Sequence, residues 1–191
     1  MFDCCCERCS DKSRTDMTTF MSYLGCHCGG FYNEKLENNT FLCNQCGKSR
    51  DLADTLEKLE KIEKEMGDTC DIARVYEELE TYESVHDMYY LKVKVSMKYA
   101  EQYAHSDDQI LLEKVLLCTR NILSLLKKID PGSSKLTGKF LLLNAETQER
   151  LVTIKRINSN DEYSTKELKL IISDILKSKF IANKMLGSNY L

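Results

Sequence analysis

Eight of the ten cysteines in this 191-residue chain fall within its first 46 residues: Cys4, Cys5, Cys6, Cys9, Cys26, Cys28, Cys43 and Cys46. Only Cys70 and Cys118 come later. A short segment with so many thiols has two stable fates, disulfides or metal. No basic n-region followed by an apolar stretch opens the sequence, so the reading is thiolates on metal in a reducing compartment, cytoplasmic, nuclear or both.

Cys43-Asn44-Gln45-Cys46-Gly47 has the shape of a zinc knuckle, two thiolates on a tight turn, with glycine letting backbone N–H groups face sulfur. Cys26-His27-Cys28-Gly29-Gly30 is a tighter pair with two glycines behind it. The loop between them, from Phe31 to Leu42, has the length of a short hairpin. Cys26, Cys28, Cys43 and Cys46 are therefore expected to form a tetrahedral zinc ribbon. Cys4, Cys6 and Cys9 form a second cluster, C-x-C-x-x-C, which supplies three ligands where zinc takes four. Cys5, His27 and Cys70 are candidates for the fourth, none at a convincing spacing, which suggests a ligand from a segment upstream.

From Asp51 onward the periodicity is helical. Leu52, Leu56, Leu59, Ile62 and Met66 mark one apolar face. Ile72, Val75, Tyr76, Leu79 and Tyr82 repeat it in a second helix. A third runs from about Met88 to Tyr103, with Tyr90, Leu91, Val95, Tyr99 and Tyr103 as candidate core positions. A fourth starts at Asp107-Asp108 and stops at Asp130-Pro131-Gly132, where a fixed proline φ precedes a permissive glycine. A fifth spans about Ser134 to Ile157, and Ser164-Thr165-Lys166-Glu167 is a capping box for a sixth. The expected fold is mainly α. A small cysteine module over residues 1–50 precedes a TPR-like bundle of about six antiparallel helices over residues 51–191.

Charge and motifs exclude several functions. Twenty-seven basic and 30 acidic residues leave a net charge of −3, and the first 50 residues balance six against six. A ribbon that grips phosphate needs a basic surplus, so nucleic acid is disfavoured. No apolar run approaches the roughly 20 residues that span a bilayer, so no membrane partner is expected. His86 and His105 lack a cysteine signature around them, which argues against thiol catalysis. Glu77-Glu78 and Asp107-Asp108 read as solvated faces and caps. Lys127, Lys128, Lys177 and Lys179 read as solvated faces too. The tyrosines between Tyr76 and Tyr103 read as half-buried packing residues rather than a peptide groove.

Phe2-Asp3-Cys4-Cys5-Cys6-Glu7-Arg8-Cys9 resembles the post-SET segment of the SET-and-MYND (SMYD) family of protein-lysine methyltransferases. Cys26 to Gly30 and Cys43 to Gly47 resemble a cysteine-rich insert found in some members. Tyr90-Leu91-Lys92-Val93, and the segment from Ile129-Asp130-Pro131-Gly132-Ser133 onward, are similar to the family's TPR-like C-terminal domain. The resemblance implies that Cys4, Cys6 and Cys9 bind the post-SET zinc and that Phe2 packs on the adenine of S-adenosylmethionine. It also implies protein partners or a protein substrate at the helical domain. The glycine-rich cofactor loop, the asparagine-histidine motif, the catalytic tyrosine and the MYND finger have no counterpart in these 191 residues. The chain is thus expected to be the C-terminal part or a short form of such an enzyme, non-catalytic alone, using S-adenosylmethionine only if a SET core is supplied. The alternative is a free-standing zinc-ribbon adaptor or transcription regulator.

Overall fold

The computed structural model describes residues 21–36, 39–66, 71–129, 134–158 and 165–187. They form a mainly helical protein, with six helices and one small four-stranded sheet among them. The chain divides into two compact units between Val95 and Ser96, so the composition change at residue 50 lies inside the first unit.

The first unit opens with an antiparallel meander. Its strands are β1 (Leu24–Gly25), β2 (Phe31–Lys35), β3 (Thr40–Cys43) and β4 (Ser49–Asp51), paired in chain order. Leu24 pairs with Tyr32, and Tyr32 with Cys43. All three are buried, so one row that crosses the first three strands faces inward. The β2–β3 hairpin expected from sequence is present. The outer strands β1 and β4 extend it beyond that expectation. Asn39, at φ 58°, closes the hairpin in the left-handed region that asparagine tolerates.

Helix α1 (Ala53–Glu65) buries Leu59 and Ile62, with Leu52 and Met66 buried at its two ends. Glu60 pairs with Lys64 and Lys61 with Glu65 on its outer side. Helix α2 (Ile72–Glu80) buries Ile72, Val75, Tyr76 and Leu79, and Asp71 caps it by accepting the Arg74 N–H. It stops short of Tyr82, which is half-buried and donates its hydroxyl to Glu78. Helix α3 (Tyr90–Tyr103) buries Leu91 and Val95 before the unit boundary. Tyr90 departs from the expected core. It lies at the surface and donates its hydroxyl to Glu63 at 2.7 Å, while its neighbour Tyr89 is buried. Hydrogen bonds fasten the cysteine-rich segment to the chain after α2. The Gly25 N–H donates to the Ser84 carbonyl at 2.6 Å. His86 Nδ1 accepts the Met88 N–H, which leaves Nε2 protonated to donate to the Tyr23 carbonyl at 2.9 Å.

The second unit holds the end of α3, with Tyr99 buried, and the three longest helices: α4 (Gln109–Ile129), α5 (Lys135–Asn158) and α6 (Thr165–Leu186). Helix α4 packs on α5 and α5 on α6. Leu112 and Leu116 meet Leu151, with Ile154 at the edge. Asp108 caps α4 by accepting the N–H groups of Ile110 and Leu111. Ser134 caps α5 by accepting from Thr137. The buried Thr119 hydroxyl is satisfied twice, donating to the Leu116 carbonyl and accepting from Asn144. Gly138 lets α5 and α6 approach closely, because a Cβ there would stand 2.8 Å from that of Met185.

Candidate metal centre

Two turns bring four sulfurs together. The first joins β1 to β2 and carries Cys26 and Cys28. The Cys26 N–H donates to the Gly30 carbonyl, and the Gly29 N–H returns to Cys26, with Gly29 at φ 87°. The second joins β3 to β4 and carries Cys43 and Cys46. Gly47, at φ 67°, turns the chain so that its N–H meets the Cys43 carbonyl. The turns are sewn to each other: Asn44 N–H donates to the Phe31 carbonyl, and Phe31 N–H donates to the Asn44 side chain at 2.9 Å.

The ligand atoms of Cys26, Cys28, Cys43 and Cys46 all lie within 4.8 Å of one another. Across the turns, Cys26 Sγ is 3.8 Å from Cys46 Sγ and Cys28 Sγ is 3.5 Å from Cys43 Sγ. All four are free thiols. Four sulfurs bound at about 2.3 Å to a tetrahedral ion stand roughly 3.8 Å apart, so this set fits such an ion. The donor set suits a soft or borderline cation, and the cluster can hold a metal ion such as zinc. Cys43 is buried, Cys26 half-buried, and Cys28 and Cys46 exposed.

Backbone N–H groups aim at the sulfurs in the manner of knuckles. Gln45 N–H faces Cys43 Sγ at 3.5 Å. Gly47 serves this through its φ, which turns the chain, while its own N–H goes to the Cys43 carbonyl. The Cys28 N–H and then the Tyr32 hydroxyl lower the Cys26 thiol to about 6. The Cys46 and Gln45 N–H groups lower Cys43, against desolvation. For Cys28 the Gly30 N–H also favours the thiolate, but desolvation and the neighbouring sulfurs outweigh it and raise the thiol to about 12. Charge on some of these sulfurs opposes charge on the next, and a divalent cation removes that opposition by holding all four as thiolates.

Gly30 is required for space. A Cβ there would come within 2.7 Å of Gln45, 2.8 Å of Asn44 and 2.9 Å of Cys43 Sγ. Tyr32 is a member of the site that sequence reasoning missed. It is buried beneath Cys26, and desolvation, then the Cys26 sulfur, raise its hydroxyl to about 12. Its place in the expected hairpin, four residues after Cys28, was the signal available. Ser84 and His86, which brace the first knuckle, lie some sixty residues away and carried none.

His27 sits between two ligands yet turns outward, with Nε2 3.3 Å from the Glu83 carboxylate. It takes no part in the cluster. Phe2, Cys4, Cys5, Cys6, Cys9 and Cys70 lie outside the described residues. Cys118 is buried in α4, a packing residue. No helix among the described residues is long and apolar enough to cross a membrane. No family model matches this chain, and no curated protein matches its sequence.

Proposed function

We propose that this chain is a zinc-stapled protein-interaction module. The observation that carries the reading is the four-cysteine cluster, whose ligands all come from the protein and leave no position for substrate. In that role zinc supplies folding energy and the helices supply the surface. We propose further that the helices form antiparallel, TPR-like pairs, and that the module corresponds to the C-terminal part of a SMYD-like lysine methyltransferase. The support is the likeness of residues 2–9 and 26–47 to the post-SET segment and its insert. On this reading Cys4, Cys6 and Cys9 are three ligands of a second zinc. S-adenosylmethionine meets Phe2 only when a SET core is supplied. Alone, the module transfers no methyl group, because methyl transfer needs an aligned donor and amine.

The test is metal analysis of the purified full chain during stepwise chelation, together with a methyl-transfer assay. One tight zinc that is lost in Cys43→Ser, a second labile one, and no methyl transfer is the expected result. Two equally tight zincs would count against the SMYD reading, and a Cys43→Ser chain of unchanged stability would remove the structural role.

A further inference from the structure

Burial divides the four sulfurs of the cluster into two kinds. Cys28 and Cys46 are exposed, while Cys26 is half-buried and Cys43 buried. Each exposed sulfur lies across the turns from a sheltered one. Cys28 Sγ is 3.5 Å from Cys43 Sγ, and Cys46 Sγ is 3.8 Å from Cys26 Sγ. Hydrogen bonds between Phe31 and Asn44 hold the turns abreast by protein groups alone. A disulfide needs about 2.05 Å between sulfurs, so each pair must close by roughly 1.5 to 1.8 Å, within reach of side-chain rotation.

We propose that the cluster is a peroxide-sensitive switch, in which Cys28 joins Cys43, Cys46 joins Cys26, and the chain gives up its ion. The proposal rests on the zinc-module reading and names how that same site is regulated. Exposure selects the sulfurs that react first. The Cys28 thiolate attacks one oxygen of hydrogen peroxide; the O–O bond breaks, and a sulfenic acid and a hydroxide form. The Cys43 thiolate then attacks the Cys28 sulfur; the S–S bond forms, and the S–O bond breaks to release a second hydroxide. Two electrons pass from the sulfurs to oxygen, and two protons from solvent convert both hydroxides to water. Cys46 and Cys26 repeat the step with a second peroxide. Four thiolates, two peroxides and four protons thus give two disulfides and four waters. After the first bond only two thiolates are left for an ion that takes four ligands, so the site opens. A monothiol such as glutathione reverses the step, two thiols yielding one oxidised disulfide for each bond reduced.

The direction of pairing follows from the chain. The crossed bonds join residues 15 and 20 apart, whereas bonds within a turn join residues only two or three apart. A longer closed loop restricts the unfolded chain more, so the crossed bonds keep the ribbon shut in the oxidised state.

The experiment treats the full zinc-loaded chain with hydrogen peroxide and follows zinc with a chromogenic chelator. Free thiols are then blocked and disulfides mapped by mass spectrometry after trypsin. Cleavage after Arg14, Lys35 and Lys48 puts Cys26 and Cys28 on one peptide, residues 15–35, and Cys43 and Cys46 on another, residues 36–48. Crossed bonds join these peptides, and bonds within a turn leave them apart. The expected product is the joined pair, four hydrogens lighter than the two reduced peptides, rising in step with loss of the tight zinc. Fragmentation should pair Cys28 with Cys43 and Cys26 with Cys46, and glutathione with added zinc should restore the starting state. Separate peptides overturn the switch, as do Cys28 paired with Cys46, bonds from these sulfurs to Cys70 or Cys118, or sulfinic acids in place of disulfides. A chain that keeps its tight zinc through the treatment loses the switch alone. A chain that holds no zinc on these cysteines before peroxide is added loses the module reading whatever disulfides it forms.

Discussion

Two glycines beside the cysteine cluster do different jobs, and substitution separates them. Gly30 lacks space, since its Cβ would strike Cys43 Sγ and both residues of the opposite turn. Gly47 has nothing within 4 Å of its would-be Cβ but holds φ 67°. Gly30→Ala should therefore weaken metal affinity at least about tenfold, as the sulfurs are pushed apart. Gly47→Ala should cost only about 1 kcal/mol of stability, the left-handed penalty, with the sulfurs in place. Competition with a chromogenic chelator reads the first, and denaturant unfolding of the zinc form reads the second. At Lys92 burial favours the neutral amine, but Glu80 at 2.8 Å and Asp87 at 2.9 Å overcome it and raise the pKa above 10.5. A group whose folded pKa is raised stabilises fully below its unfolded value and loses that contribution as pH climbs through the folded one. Lys92→Met should cost about 1 to 2 kcal/mol at neutral pH. The gap from the native chain should close only above pH 10.5, as followed by urea unfolding across alkaline pH.

At the scale of elements, the helices are built from capped, amphipathic segments and held by close contacts. Gly138 is the tightest of these, with Met185 Cβ at 2.8 Å and the Ala182 carbonyl at 3.2 Å from a would-be Cβ. In a free helix Gly→Ala gains up to about 1 kcal/mol. Here the methyl group must part α5 from α6, so Gly138→Ala should destabilise by about 1 to 3 kcal/mol. Thermal unfolding of the two chains decides the sign. A gain would mean that α6 slides freely on α5.

At the scale of the whole molecule, metal and helices should separate in unfolding. The cluster and the sheet it closes lie in the first compact unit, while α4, α5 and α6 build the second. Chelation should abolish the near-ultraviolet signal of Tyr23 and Tyr32 while most far-ultraviolet helix signal persists. A single transition that removes both would contradict this. Much of the fold was legible in the amino-acid order because its causes are local. Apolar spacing in α1 and α2, the caps Asp71, Asp108 and Ser134, and the two cysteine turns each act within a few residues. Apolar periodicity and capping residues mark the helical segments, and ligand spacing with turn glycines marks four thiols that can share an ion. The tertiary structure alone decided that His27 faces Glu83 rather than the sulfurs, that Tyr32 lies under Cys26, that Ser84 and His86 brace the first knuckle, and that Tyr90 yields the core to Tyr89. Each of those depends on groups distant in the chain meeting through packing, and periodicity within one segment carries no information about which distant group it will meet.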